Sequence, residues 1–320
     1  MSENSGLASP NRKQTYAAYA WVTLAGNMLV VLWGAYVRAT GSGAGCGGHW
    51  PLCNGMVLPR QPAVETIIEF THRLSSGLAL ILVVLLFLGA RRFYEKESRV
   101  RAFATAALFL MIVEALLGAG LVLFELVANN TSIVRAAAGA AHLLNTFLLL
   151  ASLALAASWS TWPAIQTQAA PDPIYRLLLG VGLLGVLFIG MTGAIAALGD
   201  TLFPATSLLA GLQQDVNPGS HVLLRLRGLH PIVAIGVGLY LIGLIRTLQA
   251  KSQIGGNVWG ALVGLIILQL AAGALNVILL APVWLQLIHL LLADSLWIGL
   301  ILVSDRFLFG RSSNLLTVAG

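Results

Sequence analysis

The sequence predicts an all-α integral membrane protein. We expect eight transmembrane helices arranged as two tandem, pseudo-symmetric four-helix bundles, with both termini cytoplasmic. Three observations predict this. The 320-residue chain is 58% hydrophobic and only 9% charged, where soluble domains carry roughly 25% charged residues. Its apolar residues fall in eight long runs rather than short alternating segments. That selects helices over a barrel, because a helix satisfies its own backbone hydrogen bonds in lipid. Four histidines also recur near the starts of alternate runs. The net charge of +6 does not signal nucleic-acid binding, since the basic residues lie mostly in short connections, where they set topology.

Residues 1–13 form a polar start, and no cleavable signal peptide is expected ahead of the first run. The runs cover 16–37, 70–90, 102–126, 136–159, 174–198, 222–245, 258–280 and 283–303, each near the ~20 residues needed to cross a bilayer. Trp21, Trp159, Trp162, Trp259 and Trp284 fall near run ends, as an interfacial aromatic belt predicts. One set of connections is rich in Lys and Arg, among them Arg91, Arg92, Lys96, Arg99, Arg101, Arg246, Lys251 and Arg311. The other side holds Arg38, Arg60, Arg73, Arg135, Arg225 and Arg227. The richer side is cytoplasmic by the positive-inside rule.

Every even-numbered run then goes from outside to inside. His72, His142, His230 and His289 lie near the starts of the second, fourth, sixth and eighth runs, so they share a depth in the outer half of the membrane. The halves also resemble each other. Gly34-Ala35-Tyr36-Val37-Arg38-Ala39-Thr40-Gly41 ends the first run and Gly193-Ala194-Ile195-Ala196-Ala197-Leu198-Gly199-Asp200 ends the fifth. Four helices per half imply a parallel repeat with its axis along the membrane normal. The join falls in 163–173, which divides the chain into domains 1–165 and 166–320.

Ionisable groups inside a membrane are costly and usually functional. A lone histidine in a bundle is more often a hydrogen-bonded polar group than a ligand. Four in register suit two bis-histidine haems instead, one between His72 and His142 and one between His230 and His289. Arg73, Arg225 and Arg227 stand where haem propionates would emerge; the alternative is ordinary snorkelling. Glu69 is three residues before His72 and shares its helix face, whereas Arg227 holds the corresponding place before His230. A carboxylate in one half only argues for one chemical site and one electron-transfer site. The plainer reading is that Glu69 pairs with Arg73 or a backbone amide near a helix start. Cys46 and Cys53 bracket a glycine- and proline-containing loop that suits a disulfide on an oxidising outer face, acting as a staple or exchanging electrons. His49 and His221 read as surface residues. Glu65, Glu114, Glu125, Asp200 and Asp294 receive no role.

These residues resemble the haem A synthase family over nearly the whole chain. The matching features are Gly34 to Gly43, the cysteine loop ending Trp50-Pro51-Leu52-Cys53-Asn54-Gly55, Glu69-Phe70-Thr71-His72-Arg73, Ala141-His142-Leu143-Leu144, Leu198-Gly199-Asp200 and the two later histidines. The resemblance implies oxidation of the C8 methyl of haem O to a formyl group, giving haem A for terminal oxidases. It implies His72 and His142 as ligands of substrate haem O, His230 and His289 as ligands of a haem b cofactor, Glu69 as the essential carboxylate and Cys46–Cys53 as the outer-loop disulfide. It also implies a bacterial cytoplasmic membrane location, contact with membrane lipid and haem O delivery from the farnesyl-transferring haem O synthase, and it leaves a homo-oligomer open. Two departures stand out: residues 200–220 contain no second cysteine pair, and Pro231 follows His230. The rival readings are a bis-histidine membrane cytochrome that only transfers electrons, for instance with quinone, and a proton-relaying transporter. Extracting haem A from a host that makes haem O but not haem A separates the three.

Overall fold

The computed structural model describes residues 10–162, 172–251 and 254–309. The expected join at 163–173, with the domain limit at residue 165, and the cation Arg311 lie outside the described residues, apart from the start of the fifth long helix. The described elements are helices α1 (Pro10–Ala39), α2 (Val64–Phe93), α3 (Arg99–Leu123), α4 (Ile133–Thr161), α5 (Pro173–Leu202), α6 (Leu208–Val216), α7 (Val222–Gln249), α8 (Gly256–Ile278) and α9 (Val283–Phe309). A short 3-10 turn, Ser42–Ala44, follows α1. All except α6 are long and apolar enough to cross a membrane, eight in total, as a multi-pass membrane protein requires.

Most of the helices outrun the apolar stretches that predict them, although α3 and α8 end two or three residues short of theirs. Helix α2 begins at Val64, well before residue 70, because Glu65, Thr66 and Glu69 continue the helix although they interrupt the hydropathy. Glu69 therefore lies in the second turn, not at the helix start. Helix α6 has nine residues and falls in a stretch expected to be loop. It starts at Ser207, whose side chain accepts the Ala210 N–H at 3.2 Å, an ordinary N-cap.

The chain divides into two compact units. One contains residues through Asn130 together with Asn145–Pro163, the other Thr131–Leu144 together with the remainder from Ala164. In the first unit α2 packs against α1 and α3. The later part of α4 meets both neighbours: Trp21 Nε1 of α1 donates to Thr161 Oγ1 at 2.9 Å, and Asn145 Nδ2 of α4 donates to the Leu110 carbonyl of α3 at 2.9 Å. Tyr16 and Tyr19 tie α1 to the α2 carbonyls of Leu86 and Leu82. In the second unit α5 packs on α7, α7 on α8, α8 on α9, and α9 back on α5. Tyr240 Oη donates to the Leu178 carbonyl at 2.8 Å across α7 and α5. The start of α4 joins this unit through Ala136, which shares a buried cluster with Leu198 and Leu223. In the second unit α5, α7, α8 and α9 thus form a ring, and leucines such as Leu29, Leu184 and Leu239 project outward, as lipid contact demands.

Candidate functional site

Helix α2 presents Glu69, His72 and Arg73 on adjoining positions. Glu69 is only 3% exposed, and both of its oxygens are engaged. Oε2 accepts the backbone N–H of Cys46 at 2.8 Å. Oε1 accepts Nε of Arg73 at 3.1 Å and its terminal nitrogen at 2.5 Å. The remaining Arg73 nitrogen donates to the carbonyls of His49 and Leu52. The Cys46–Cys53 disulfide is formed, with the α-carbons 4.4 Å apart, and both cysteines are buried. One charged pair therefore rivets the disulfide loop onto α2. Arg73 is fully committed there, so a propionate at this place would compete with Glu69 and two carbonyls. Glu69 has both partners that the plainer reading supplies, Arg73 and a backbone amide. Its burial and fixed orientation are what a positioned proton acceptor also needs.

His72 is half-buried and its ring lies against α1 at Gly34, where a β-carbon would come within 2.9 Å of the ring. The same arrangement occurs twice in the second unit. A β-carbon on Gly193 of α5 would come within 3.1 Å of the His230 ring, and one on Gly273 of α8 within 3.2 Å of the His289 ring. A glycine on the neighbouring helix lets the two backbones approach and seats each imidazole. His142 is half-buried on α4, in the part of that helix grouped with the second unit.

In the second unit, Thr192 Oγ1 and His230 Nδ1 are hydrogen-bonded at 3.1 Å, which fixes the ring and leaves Nε2 on the side away from that contact. Gln269 Nε2 lies 3.3 Å from His289 Nε2, and His289 Nδ1 is buried with no hydrogen-bond partner among the described residues. Pro231 follows His230 inside α7 and removes one backbone N–H from the helix ladder.

The guanidinium of Arg227 is held by carboxylates from two other elements. It meets Asp200 at the end of α5 at 3.0 Å and Asp215 of α6 at 2.7 Å, and also the Gly211 carbonyl at 3.3 Å. A propionate would have to displace them. Arg225 is exposed at the start of α7. His221 is neither ligand nor simple surface: it caps α7 by accepting the Leu223 N–H at 3.3 Å.

Among the described residues no three His, Cys, Asp or Glu side chains converge as a metal-ion cage. The donor set is imidazoles, each half-buried and three of them backed by a glycine. That fits an iron whose porphyrin fills the equatorial positions and which needs only axial ligands. Sequence reasoning missed the seating glycines, the Thr192 and Gln269 contacts and the partners of Arg227. The paired Gly34-Ala35 and Gly193-Ala194 were the available signal for the first of these.

A "Protoheme IX farnesyltransferase" of Thermus thermophilus is 50% identical over 287 residues, covering 88% of this chain but 46% of that relative. The chain thus spans about half the length of that relative. A "Heme A synthase" of Halalkalibacterium halodurans is 30% identical over 286 residues, covering 87% of this chain and 92% of its own. Another "Heme A synthase", from Alkalihalophilus pseudofirmus, is 45% identical over 106 residues, or 33% of this chain and 36% of the relative. The model of one family, described as cytochrome oxidase assembly protein, matches residues 17–301. A chain matched from its first long helix into its last belongs to that family, COX15-CtaA.

Proposed function

We propose that this chain is a haem A synthase of a bacterial cytoplasmic membrane, oxidising the C8 methyl of haem O to a formyl group. Domain 1–165 binds the substrate, with His72 and His142 as its axial ligands. Domain 166–320, the pseudo-symmetric partner, binds haem b through His230 and His289. Both termini face the cytoplasm and the disulfide loop faces outward. The observation that carries the reading is Glu69: a buried carboxylate, one helical turn from His72, with both oxygens fixed.

Haem b, when bound, supplies one-electron redox chemistry. The chain's own residues do the rest. Glu69 accepts protons as the substrate methyl takes a hydroxyl from water in each of two two-electron oxidations, first to an alcohol and then to a hydrated aldehyde that loses one water, while the four electrons would leave for an external one-electron acceptor. Arg73 and the Cys46 amide keep the carboxylate aimed. The disulfide loop closes the outer end and limits water entry. Gly34, Gly193 and Gly273 hold the imidazole rings in place. The farnesyltransferase name of the Thermus relative supports delivery of haem O from a farnesyl-transferring enzyme.

Glu69→Gln tests this. The variant is expected to retain haem in both halves, seen as an unchanged Soret band, and to form no haem A. Normal haem A formation would remove Glu69 from the chemistry. The tight Glu69–Arg73 pair also favours a second reading, a cytochrome that only transfers electrons and uses Glu69 as a structural anchor. In that case the wild type yields b-type haem alone in a host supplied with haem O.

A further inference from the structure

Glu114 plays no part in the mechanism above. It lies on α3 and receives two hydrogen bonds from α4: Asn145 Nδ2 to Oε2 at 2.6 Å and Thr146 Oγ1 to Oε1 at 2.5 Å. Asn145 and Thr146 are 7% and 3% exposed, while Glu114 is only half-buried and stays reachable. This is a costly group of polar side chains for the middle of two apolar helices.

We propose that Glu114, Asn145 and Thr146 form a subsite for the hydroxyl group on the hydroxyethylfarnesyl tail of haem O, so that this half takes haem O in preference to haem b. The inference rests on the haem A synthase reading and deepens it to substrate selection. Three arguments carry it.

The first is depth. Asn145 and Thr146 follow His142 by three and four residues, so they share its helix face one turn further from the disulfide-loop end. One turn is about 5.4 Å, comparable with the span from a porphyrin's centre to its rim. The tail-bearing edge of haem O is opposite the propionate edge. With the propionates toward the membrane surface, the tail hydroxyl is carried inward, to the level of this cluster.

The second is the contrast between halves. Glu114-Ala115-Leu116-Leu117-Gly118 in α3 corresponds to Gln269-Leu270-Ala271-Ala272-Gly273 in α8, and His142-Leu143-Leu144-Asn145-Thr146 to His289-Leu290-Leu291-Leu292-Ala293. Asn145 and Thr146 are thus replaced by Leu292 and Ala293, and Gln269 instead contacts His289. At these aligned positions the half assigned to haem b, a porphyrin with no tail hydroxyl, keeps Gln269 but has no counterpart of Asn145 or Thr146.

The third is energetic. A hydroxyl carried into an apolar bundle without a partner is penalised, and a carboxylate has about four acceptor sites across its two oxygens. A site built to bond a hydroxyl rejects the analogue lacking it far more strongly than an apolar pocket does.

The test uses full-length protein purified from a host that makes both haem b and haem O. Extracted haems are counted as tail-bearing (haem O and its oxidised products, all of which keep the hydroxyl) or as haem b. Asn145→Leu with Thr146→Ala, the residues of the second half, is expected to lower tail-bearing haem per protein about tenfold while haem b does not fall. Unchanged tail-bearing haem overturns the proposal. A wild type holding no tail-bearing haem overturns the haem A synthase reading instead. If the variant does not assemble, wild-type protein is titrated at the Soret band with haem O and with haem O whose tail has been dehydrated. Binding of the dehydrated form about tenfold weaker supports the subsite; equal binding of the two overturns it.

Discussion

The Glu69 carboxylate accepts the Cys46 backbone N–H at 2.8 Å, so the disulfide loop and α2 meet at the residue proposed as the base. Opening the loop therefore reaches Glu69 directly. Replacing Cys46 and Cys53 by serine removes a cross-link between residues seven apart, worth about 2–3 kcal/mol by loop-closure entropy. The expected result is a lower thermal midpoint in detergent and reduced haem A output with Glu69 itself intact. An unchanged midpoint would show that the hydrogen bonds with Glu69, Thr66 and Arg73 hold the loop without the cross-link.

Arg73→Leu strips Glu69 of its cation and leaves the His49 and Leu52 carbonyls without their donor. Breaking a buried pair from one side costs about 3–5 kcal/mol. The variant should be less stable than Glu69→Gln, which keeps an amide able to bond. Thermal unfolding of the two side by side decides it.

The seating glycines make a graded set. Gly34→Ala should lower haem occupancy in the first half, and Gly193→Ala and Gly273→Ala in the second, because each new methyl would come within 2.9 to 3.2 Å of an imidazole carbon. Gly77→Ala and Gly139→Ala meet nothing within 4 Å and are controls, expected to be neutral or to stabilise by up to about 1 kcal/mol through helix propensity. Haem content per protein, measured by pyridine haemochrome, reads the difference.

The eight spanning helices were legible in the sequence because hydropathy over about 20 residues is a strong signal. The start of α2 was not, because Glu65 and Glu69 belong to it without being apolar, whereas the starts of α7 and α9 fall where the runs begin. Helix α6 escaped notice as nine residues whose capping serine looks like any loop serine. The histidines and the cysteine pair were visible by type and spacing. What they touch was not: Asp200 and Asp215 reach Arg227 from separate elements, and Asn145 and Thr146 reach Glu114 from another helix. Such pairings depend on how helices are rotated about their axes, which one chain's periodicity does not specify. Arg227, read as a propionate contact, shows the limit most clearly, since the sequence displays the cation and conceals its carboxylates.

Arg227→Met should release α6. The guanidinium joins the end of α5, α6 and α7, and its loss leaves two carboxylates facing each other. A penalty of about 3 kcal/mol is expected. Hydrogen exchange in α6 should quicken while that of α8 is unchanged; equal exchange in α6 would mean the ion pairs are not what anchors it.

Asp294 is fully buried in α9, and neither carboxyl oxygen has a hydrogen-bond partner among the described residues. Such a group costs about 1–3 kcal/mol. Asp294→Leu is therefore expected to raise the thermal midpoint. A fall would show that the carboxyl has a partner in the working protein.

The double grip of Arg73, on Glu69 and on the loop carbonyls, also bears on protein engineering. A loop transplanted from a relative arrives with its own main-chain path, and unless two oxygens land where those of residues 49 and 52 now lie, the recipient's carboxylate will swing. Chimeras of this surface segment should thus disturb the carboxylate proposed as the base, although Glu69 itself has not been exchanged.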